Sequence, residues 1–336
     1  MAAASVSTVA LMRRRRAALL NAAAPAIDLV VQPLAWLAAW QMRLLRKLTP
    51  PRAPRSFRVL DRVGVYPLID HYYDPLINLR RLQRPLDAPR AIAGLDLALA
   101  QSRDFVAGLQ GLDMPGQASP PTTAEPGYDP SNTMFCPLDA GVLYGIVQHY
   151  RPRRIIEVGC GMSTLVFRMA IEALTTLDPG YRCEHCCIEP FEAPWLERLP
   201  VRVLRLQAEH APLDLIRSLE AGDILFIDSS HVIRPQGDVV IETLEWLGNL
   251  APGVIVHIHD IYTPHDYPDS LLRTHRFIWT EQYMVEAFLC FNNAFEVLAP
   301  VHALWRDATE WAHAICPSQA QAGRTVPSSL WLRRAG

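Results

Sequence analysis

A β-branched run, Arg154-Ile155-Ile156-Glu157-Val158, closes on the turn Gly159-Cys160-Gly161, and a segment of helical period opens at Ser163-Thr164. Strand, glycine turn and helix start in that order suit the polar part of a nucleotide-like ligand. Glycine admits close backbone approach, and the first N–H groups of a helix are free to donate. Further strand-like runs end on Glu189, on Gln207 and Glu209, on Asp228 to His231, and on His257, His259 and Asp260. Ligands of an open parallel sheet bind outside the carboxyl ends of its strands, and so many titratable groups are costly to bury without partners. The residues expected at the ligand are therefore Glu157, Gly159, Gly161, Ser163, Thr164, Glu189, Gln207 and Asp228. Glu189 follows Gly159 by 30 residues, after one strand–helix–strand passage, where an acid can accept both hydroxyls of a ribose.

The elements that must position these residues alternate. Strands are expected at 155–158, 186–189, 201–206, 223–228 and 254–259, with late strands at 295–298 and 329–332. Helices are expected at 95–109, at 139–150 with Asp139 as its cap, and at 163–177 with Val166, Met169, Ala173 and Leu177 inward. Two more are expected at 239–250, with Val240, Leu244 and Leu247 inward, and at 280–291. This alternation predicts an α/β fold, a mostly parallel seven-stranded sheet with helices on both faces.

The glycine turn separates nucleotide classes. A dinucleotide fingerprint needs a third glycine where Thr164 stands, and a P-loop needs Gly-Lys-Ser/Thr; both are missing. An acid, Gly-x-Gly, then Ser-Thr resembles the class I S-adenosylmethionine-dependent methyltransferases, whose first motif is Glu/Asp-x-Gly-x-Gly. The resemblance covers about residues 135–334, with Glu189 after the second strand, Asp228 ending the fourth, and a last strand that would insert antiparallel. Three segments are similar to one bacterial methyltransferase family: Ile156-Glu157-Val158-Gly159-x-Gly161-x-Ser163-Thr164, Phe226-Ile227-Asp228-Ser229-Ser230-His231 and Val256-His257-Ile258-His259-Asp260-Ile261. Cys160 stands where that family often has Ser.

The resemblance implies a Rossmann-like class I methyltransferase fold and S-adenosyl-L-methionine as cofactor. Gly159 and Gly161 would approach its methionine part, Glu189 would hold the ribose, and Gln207 to His210 would flank the adenine. The implied reaction is O-methylation of a hydroxylated small molecule or glycan, an in-line displacement in which the acceptor must lose its proton. Two arrangements supply that. Asp228, His259 and Asp260 could hold a divalent metal ion, softer than magnesium because of the histidine. Alternatively His231 or His259 is the base, since imidazole titrates near neutrality. Tyr262 to Pro268 is expected to form a loop over the acceptor, with Trp279, Glu281, Gln282 and Tyr283 nearby.

Rival readings remain on the same residues. A nicotinamide-dependent oxidoreductase would need the third glycine and a Tyr-Lys pair, and lysine is scarce. A non-catalytic cofactor-fold binding protein would tolerate change at Asp260. A hydrolase built on His257-x-His259-Asp260 would draw on His231 and Asp228 for further ligands.

Of the 336 residues, half are hydrophobic and a fifth charged, with a net charge of −2, which excludes a global field for nucleic acid. Seven unevenly spaced cysteines argue for a reducing, cytoplasmic compartment. Cys183-x-x-Cys186 with His185 could be half a zinc site, against the plainer reading of buried strand cysteines. The expected divisions are 1–50, a basic and apolar segment; 51–110, an extension or substrate collar; 111–133, a Pro/Gly/Ser-rich linker; and 134–336, the catalytic domain. In the first, Arg13 to Arg16 precede an apolar stretch to Trp40, and Arg43, Arg46 and Lys47 come after it. Pro25 and Pro33 are expected to break any helix there. Residues 13–47 therefore read as a segment lying on the inner membrane surface, with a true span, a signal sequence or packing on the chain itself as alternatives. Asp70, His71, Tyr72, Tyr73 and Asp74 could line a substrate cleft or form a packing collar.

Overall fold

The computed structural model describes residues 2–336 except 72, 76, 114–126, 192, 194, 323 and 324, with side chains described from residue 21 onward. Most of the expected linker and Tyr72 thus lie outside the described residues. Contacts divide the chain into Met1–Leu82 and Gln83–Gly336, a boundary inside the stretch 51–110.

In the first unit, helix α1 runs Ala2–Arg52, interrupted at Thr49 (φ 62°), and α2 is Pro54–Val63. The expectation that Pro25 and Pro33 break the helix is corrected: α1 continues through both. Each proline removes one N–H donor, yet helical backbone runs on past both. Asn21–Arg52 is long and apolar enough to cross a membrane. Leu29, Val30, Leu34, Trp36, Leu37 and Trp40 on it are exposed. Arg46 pairs with Asp74 at 2.7 Å, so Asp74 anchors the segment after α2 to α1.

The second unit opens with α3 (Leu99–Ala107) and α4 (Pro137–Tyr150), then β1 (Arg154–Val158), α5 (Met162–Leu177), β2 (Glu184–Ile188) and β3 (Arg202–Leu204). The chain continues with α6 (Leu213–Arg217), β4 (Ile224–Ile227), α7 (Asp238–Ile241), β5 (Ile255–Ile258), α8 (Glu281–Leu289) and β6 (Phe295–Pro300). Three short helices, α9 (Val301–Asp307), α10 (Thr309–Ile315) and α11 (Pro317–Gln321), precede β7 (Leu330–Arg334). The sheet order is β3-β2-β1-β4-β5-β7-β6, with β7 antiparallel between β5 and β6 and the other neighbours parallel. This is the Rossmann-like α/β sheet that the alternation predicts, with an N-terminal helical extension. Leu143, Ile146, Val166 and Phe167 fill one face, while Trp246, Leu247, Ile216 and Leu289 fill the other.

Two helices turn differently from their predicted phase. On α5 the inward residues are Leu165, Val166, Phe167, Ala170, Ile171 and Leu174, and Leu177 is exposed. After α7 the chain passes into a π turn, Glu242–Trp246, which adds a residue per turn and rotates the residues downstream of it. Val239, Glu242, Thr243, Trp246 and Leu247 are buried, and Leu244 is exposed. A 3.6-residue period cannot anticipate that rotation, nor that it buries a carboxyl. Asp139 also departs from expectation. The cap of α4 is Cys136, and the Asp139 carboxylate accepts from the backbone N–H groups of Ser328 (2.9 Å) and Ser329 (3.0 Å), fixing the entry to β7.

Candidate functional site

Gly159 leaves β1 at φ +73°, and a Cβ there would sit 1.8 Å from the Asp228 carbonyl oxygen, so glycine is required for the backbone to pass β4. At Gly161 an added Cβ would meet no protein atom within 4 Å. Its surroundings are open on the side facing out of the turn.

Glu157 points away from that opening. It is fully buried; its Oε1 accepts from Ser163 Oγ (2.7 Å) and Thr164 Oγ1 (2.9 Å), and its Oε2 meets His185 Nε2 at 2.8 Å. Thr164 Oγ1 also accepts from the Gly161 N–H at 3.1 Å. Glu157, Ser163 and Thr164, expected at the ligand, therefore form the brace beneath the turn. Sequence spacing places them at the strand end, but side-chain direction is a tertiary matter.

Gly159, Glu189, Gln207 and Asp228 line one cavity of about 240 Å³, together with Ser229, Ser230, Arg234 and Asp238. Glu189 is aimed by the backbone: Oε2 accepts from the Cys160 N–H (3.2 Å) and Oε1 from the Phe191 N–H (2.9 Å). Ser230 is bound through its N–H and Oγ to Asp238 at 2.9 and 2.7 Å, which orders the wall after β4.

Asp228 also borders a second cluster. His231 Nε2 lies 3.3 Å from Asp228 Oδ1 and 3.4 Å from Asp260 Oδ2, while its Nδ1 meets Glu281 Oε2 at 2.7 Å. His231 and Asp260 both adopt left-handed backbone (φ 59° and 55°), a conformation sparsely used by such residues and one that clusters at functional sites. Asp260 Oδ1 accepts from Tyr262 OH (2.8 Å) and Ser328 Oγ (3.0 Å). Trp279 packs on the His231 ring with centroids 4.5 Å apart. Burial disfavours a charged His231, yet hydrogen bonds to Asp228 and Glu281 and the charge of Asp260 outweigh it and raise its pKa well above the usual value. Burial raises the Glu281 pKa, and the His231 contact offsets part of that.

The sequence grouped Asp228, His259 and Asp260 around an ion. The side chains that converge, with ligand atoms within 4.8 Å of one another, are instead Asp228, His231 and Asp260. His259 sits behind them, its Nε2 3.5 Å from Ser328 Oγ and its ring 5.2 Å from Phe135. Burial works against its cation, but the charges of Asp228, Asp260 and Asp139 leave its pKa raised. His257 is a core residue: it stacks on Phe226 at 3.9 Å and contacts Ser329 Oγ at 2.9 Å, and burial holds its pKa well below normal.

Sequence reasoning named Glu281 only as a neighbour and gave no role to Glu242, Ser328 or Asp238. Glu242 accepts from Ser229 Oγ at 2.8 Å, and burial, then the charge of Glu281, raises its pKa well above normal. Of these, only Glu281 carried a signal, an acid opening a helix near the aromatic loop. The loop itself is fixed by Arg90, which pairs with Glu286 and Asp266 (3.3 Å) and donates to the His265 carbonyl at 3.0 Å.

Residues 156–261 match the family model of a methyltransferase domain. That stretch carries the glycine turn, Glu189, Asp228, His231 and Asp260. An uncharacterised protein of Archaeoglobus fulgidus is 28% identical over 142 residues, which is 38% of this chain and 60% of that protein. The chain thus spans about 60% of the length of the curated relative it matches. A crystal structure of a candidate methyltransferase from Thermobifida fusca is 14% identical, covers 75% of this chain and 97% of its own, and superposes with a TM-score of 0.37. The family-model match supports methyl transfer in general.

Proposed function

We propose that this chain transfers a methyl group from S-adenosylmethionine to a hydroxyl of a small molecule or glycan. The observation that carries the reading is one residue in two places. Asp228 lines the cavity that holds Gly159, Glu189 and Gln207, and it also contacts His231 in the carboxylate cluster. In this reading Glu189 accepts from the ribose hydroxyls, Gly161 leaves room for the methionine part, and Gln207 and Ala208 border the adenine. The acceptor hydroxyl then lies beside His231 and Asp260, in line with the departing sulfur.

The raised pKa of His231 bears on how the acceptor loses its proton. Three carboxylates favour the imidazolium, and an imidazolium accepts no proton. The same donors suit a divalent ion: two carboxylates and an imidazole whose other nitrogen is oriented by Glu281. Asp228, Asp260 and His231 Nε2 would hold such an ion, which when bound lowers the pKa of an acceptor hydroxyl. Tyr262 and Ser328 keep Asp260 aimed, and Trp279 excludes water from the imidazole face. The test is turnover of tritiated methyl from S-adenosylmethionine into a panel of hydroxylated acceptors, with and without added divalent metal. Absence of transfer to any of them in a protein that binds the cofactor refutes the catalytic reading.

We further propose that α1 holds the chain to a membrane by spanning it. Leu29, Val30, Leu34, Trp36, Leu37 and Trp40 are exposed, and Asn21–Arg52 is long and apolar enough to cross the hydrocarbon core of a bilayer. Arg43, Arg46, Lys47, Arg52, Arg55, Arg58 and Arg62 outnumber Arg13 to Arg16 and favour the C-terminal side of the span as cytoplasmic. Retention in the membrane pellet through an alkaline carbonate wash is expected, and release by that wash returns the segment to the surface.

A further inference from the structure

Beneath the glycine turn lies a second group of ligand-type side chains that the methyl-transfer reading does not use. Strand β2 alternates, so His185 and Cys187 face the same side, and the β1–β2 register sets Cys187 beside Glu157. Cys160, in the turn three residues on, curls back over them. Ligand atoms of Glu157, Cys160 and Cys187 lie within 4.8 Å of one another, and all three residues are buried; His185 stands outside this trio and must draw closer to Cys160 to complete a tetrahedron. His185, also buried, places Nε2 2.8 Å from Glu157 Oε2 and 3.7 Å from Cys187 Sγ, and Cys187 Sγ lies 3.7 Å from Glu157 Oε2.

We propose that Glu157, Cys160, His185 and Cys187 form a buried site for a soft divalent cation of the zinc type, which clamps the glycine turn to β2.

The donor set is the first reason: two thiols, one imidazole and one carboxylate are the ligands tetrahedral zinc takes. The spacing is the second. Bond lengths of roughly 2.0–2.3 Å around a tetrahedral zinc require sulfur-to-nitrogen and sulfur-to-oxygen edges of about 3.5 Å. Both measured edges from Cys187 are 3.7 Å, and the nitrogen-to-oxygen edge of 2.8 Å needs only a small opening to reach about 3.3 Å. Support from outside the cluster is the third. Ser163 and Thr164 both donate to Glu157 Oε1, which leaves Oε2 for the ion and orients the carboxylate. The Cys183–Cys186 pair considered from spacing does not contribute: Cys186 packs with Ile156 and Val158 in the other face of the core.

Binding displaces the two thiol protons and the imidazolium proton to solvent, and the ion takes their place among the sulfurs, Nε2 and Oε2. The consequence reaches the cavity through one bond, since the Cys160 N–H donates to Glu189 Oε2. Metal at Cys160 Sγ would stiffen the residue that aims Glu189.

The test is independent of methyl transfer. The full chain, purified under thiol reductant without chelator, is expected to retain one zinc through dialysis. Exchange for cobalt(II) is expected to give the near-ultraviolet thiolate-to-cobalt charge-transfer band. Cobalt held by Asp228, His231 and Asp260 gives no such band, because that cluster has no sulfur. Cys187→Ser should abolish the band. Thr164→Val, a milder change outside the ligands, should weaken retention about 10–100-fold. Folded wild-type protein that keeps no zinc and shows no sulfur-to-cobalt band overturns the proposal, whatever the variants do.

Discussion

Gly159 and Gly161 sit two residues apart in one turn, and the structure assigns their missing side chains to different causes. At Gly159 an alanine would hold φ +73° at a cost of about 1–2 kcal/mol. Its Cβ would also meet the Asp228 carbonyl oxygen at 1.8 Å, and Asp228 is tied to β1 through its N–H on the Val158 carbonyl at 3.0 Å. The strands must part, adding about 1–3 kcal/mol as other overpacked sites do. Gly159→Ala should therefore lose about 2–5 kcal/mol of stability, a large share of the 5–15 kcal/mol typical of a domain. At Gly161 the same methyl meets no protein atom, and as a helix N-cap glycine its replacement by alanine costs no more than about 1 kcal/mol. If a ligand fills that opening, Gly161→Ala should bind S-adenosylmethionine at least about tenfold more weakly, or about 1.4 kcal/mol. Thermal melting and calorimetric titration on both variants separate the effects. Normal cofactor affinity in Gly161→Ala, or a melting loss equal to that of Gly159→Ala, refutes the reasoning.

Asp260→Ala should lower turnover by about 10²–10⁴-fold while shifting cofactor affinity far less; steady-state kinetics beside titration read both, and equal losses remove Asp260 from the acceptor side. Glu281→Gln removes one of the three carboxylates around His231, so the imidazole pKa should fall toward its ordinary value in an NMR titration; an unchanged value means Glu281 does not hold the charge. His302 lies buried with Nδ1 at 2.9 Å from the Pro327 carbonyl, and burial foremost lowers its pKa to about 3. Below about pH 6.5 the unfolded chain takes a proton there that the folded chain refuses, so His302 should cost up to about 1.4 kcal/mol per pH unit as pH falls. Denaturant midpoints of His302→Gln should flatten that acid limb relative to wild type, and parallel limbs refute the assignment. His185 has the opposite sign: burial works against its cation, but Cys187 and Glu157 raise its pKa to about 9. Metal-free protein should keep that contribution below about pH 6.5 and lose it as pH climbs through about 9, and His185→Gln should remove the alkaline slope.

The sheet was legible because parallel strands buried on both faces read as continuous apolar runs, as in Ile224–Ile227 and Ile255–Ile258. Strand ends were legible for the same reason, so Glu189, Asp228, His231 and Asp260 could be collected from spacing alone. Side-chain direction was not. Glu157 and His257 end up inside, because the turn after β1 needs a carboxylate brace and Phe226 offers His257 a stacking partner. His231 takes the position expected of His259 because a left-handed residue after β4 swings the imidazole back over Asp228, and local spacing carries no sign of that reversal. Glu242 was hidden by the π turn and Ser328 by distance in sequence. The helices α9 to α11 were missed because three short, mixed-polarity segments carry too few turns for a period to emerge.

Calorimetric titration of the full chain with S-adenosylmethionine and, separately, with NAD tests the central claim most directly. One molecule of S-adenosylmethionine is expected to bind per chain, with affinity reduced by Glu189→Ala and no heat from NAD. Absence of S-adenosylmethionine binding by folded protein, or preference for NAD, contradicts the assignment of this cavity to a sulfonium cofactor.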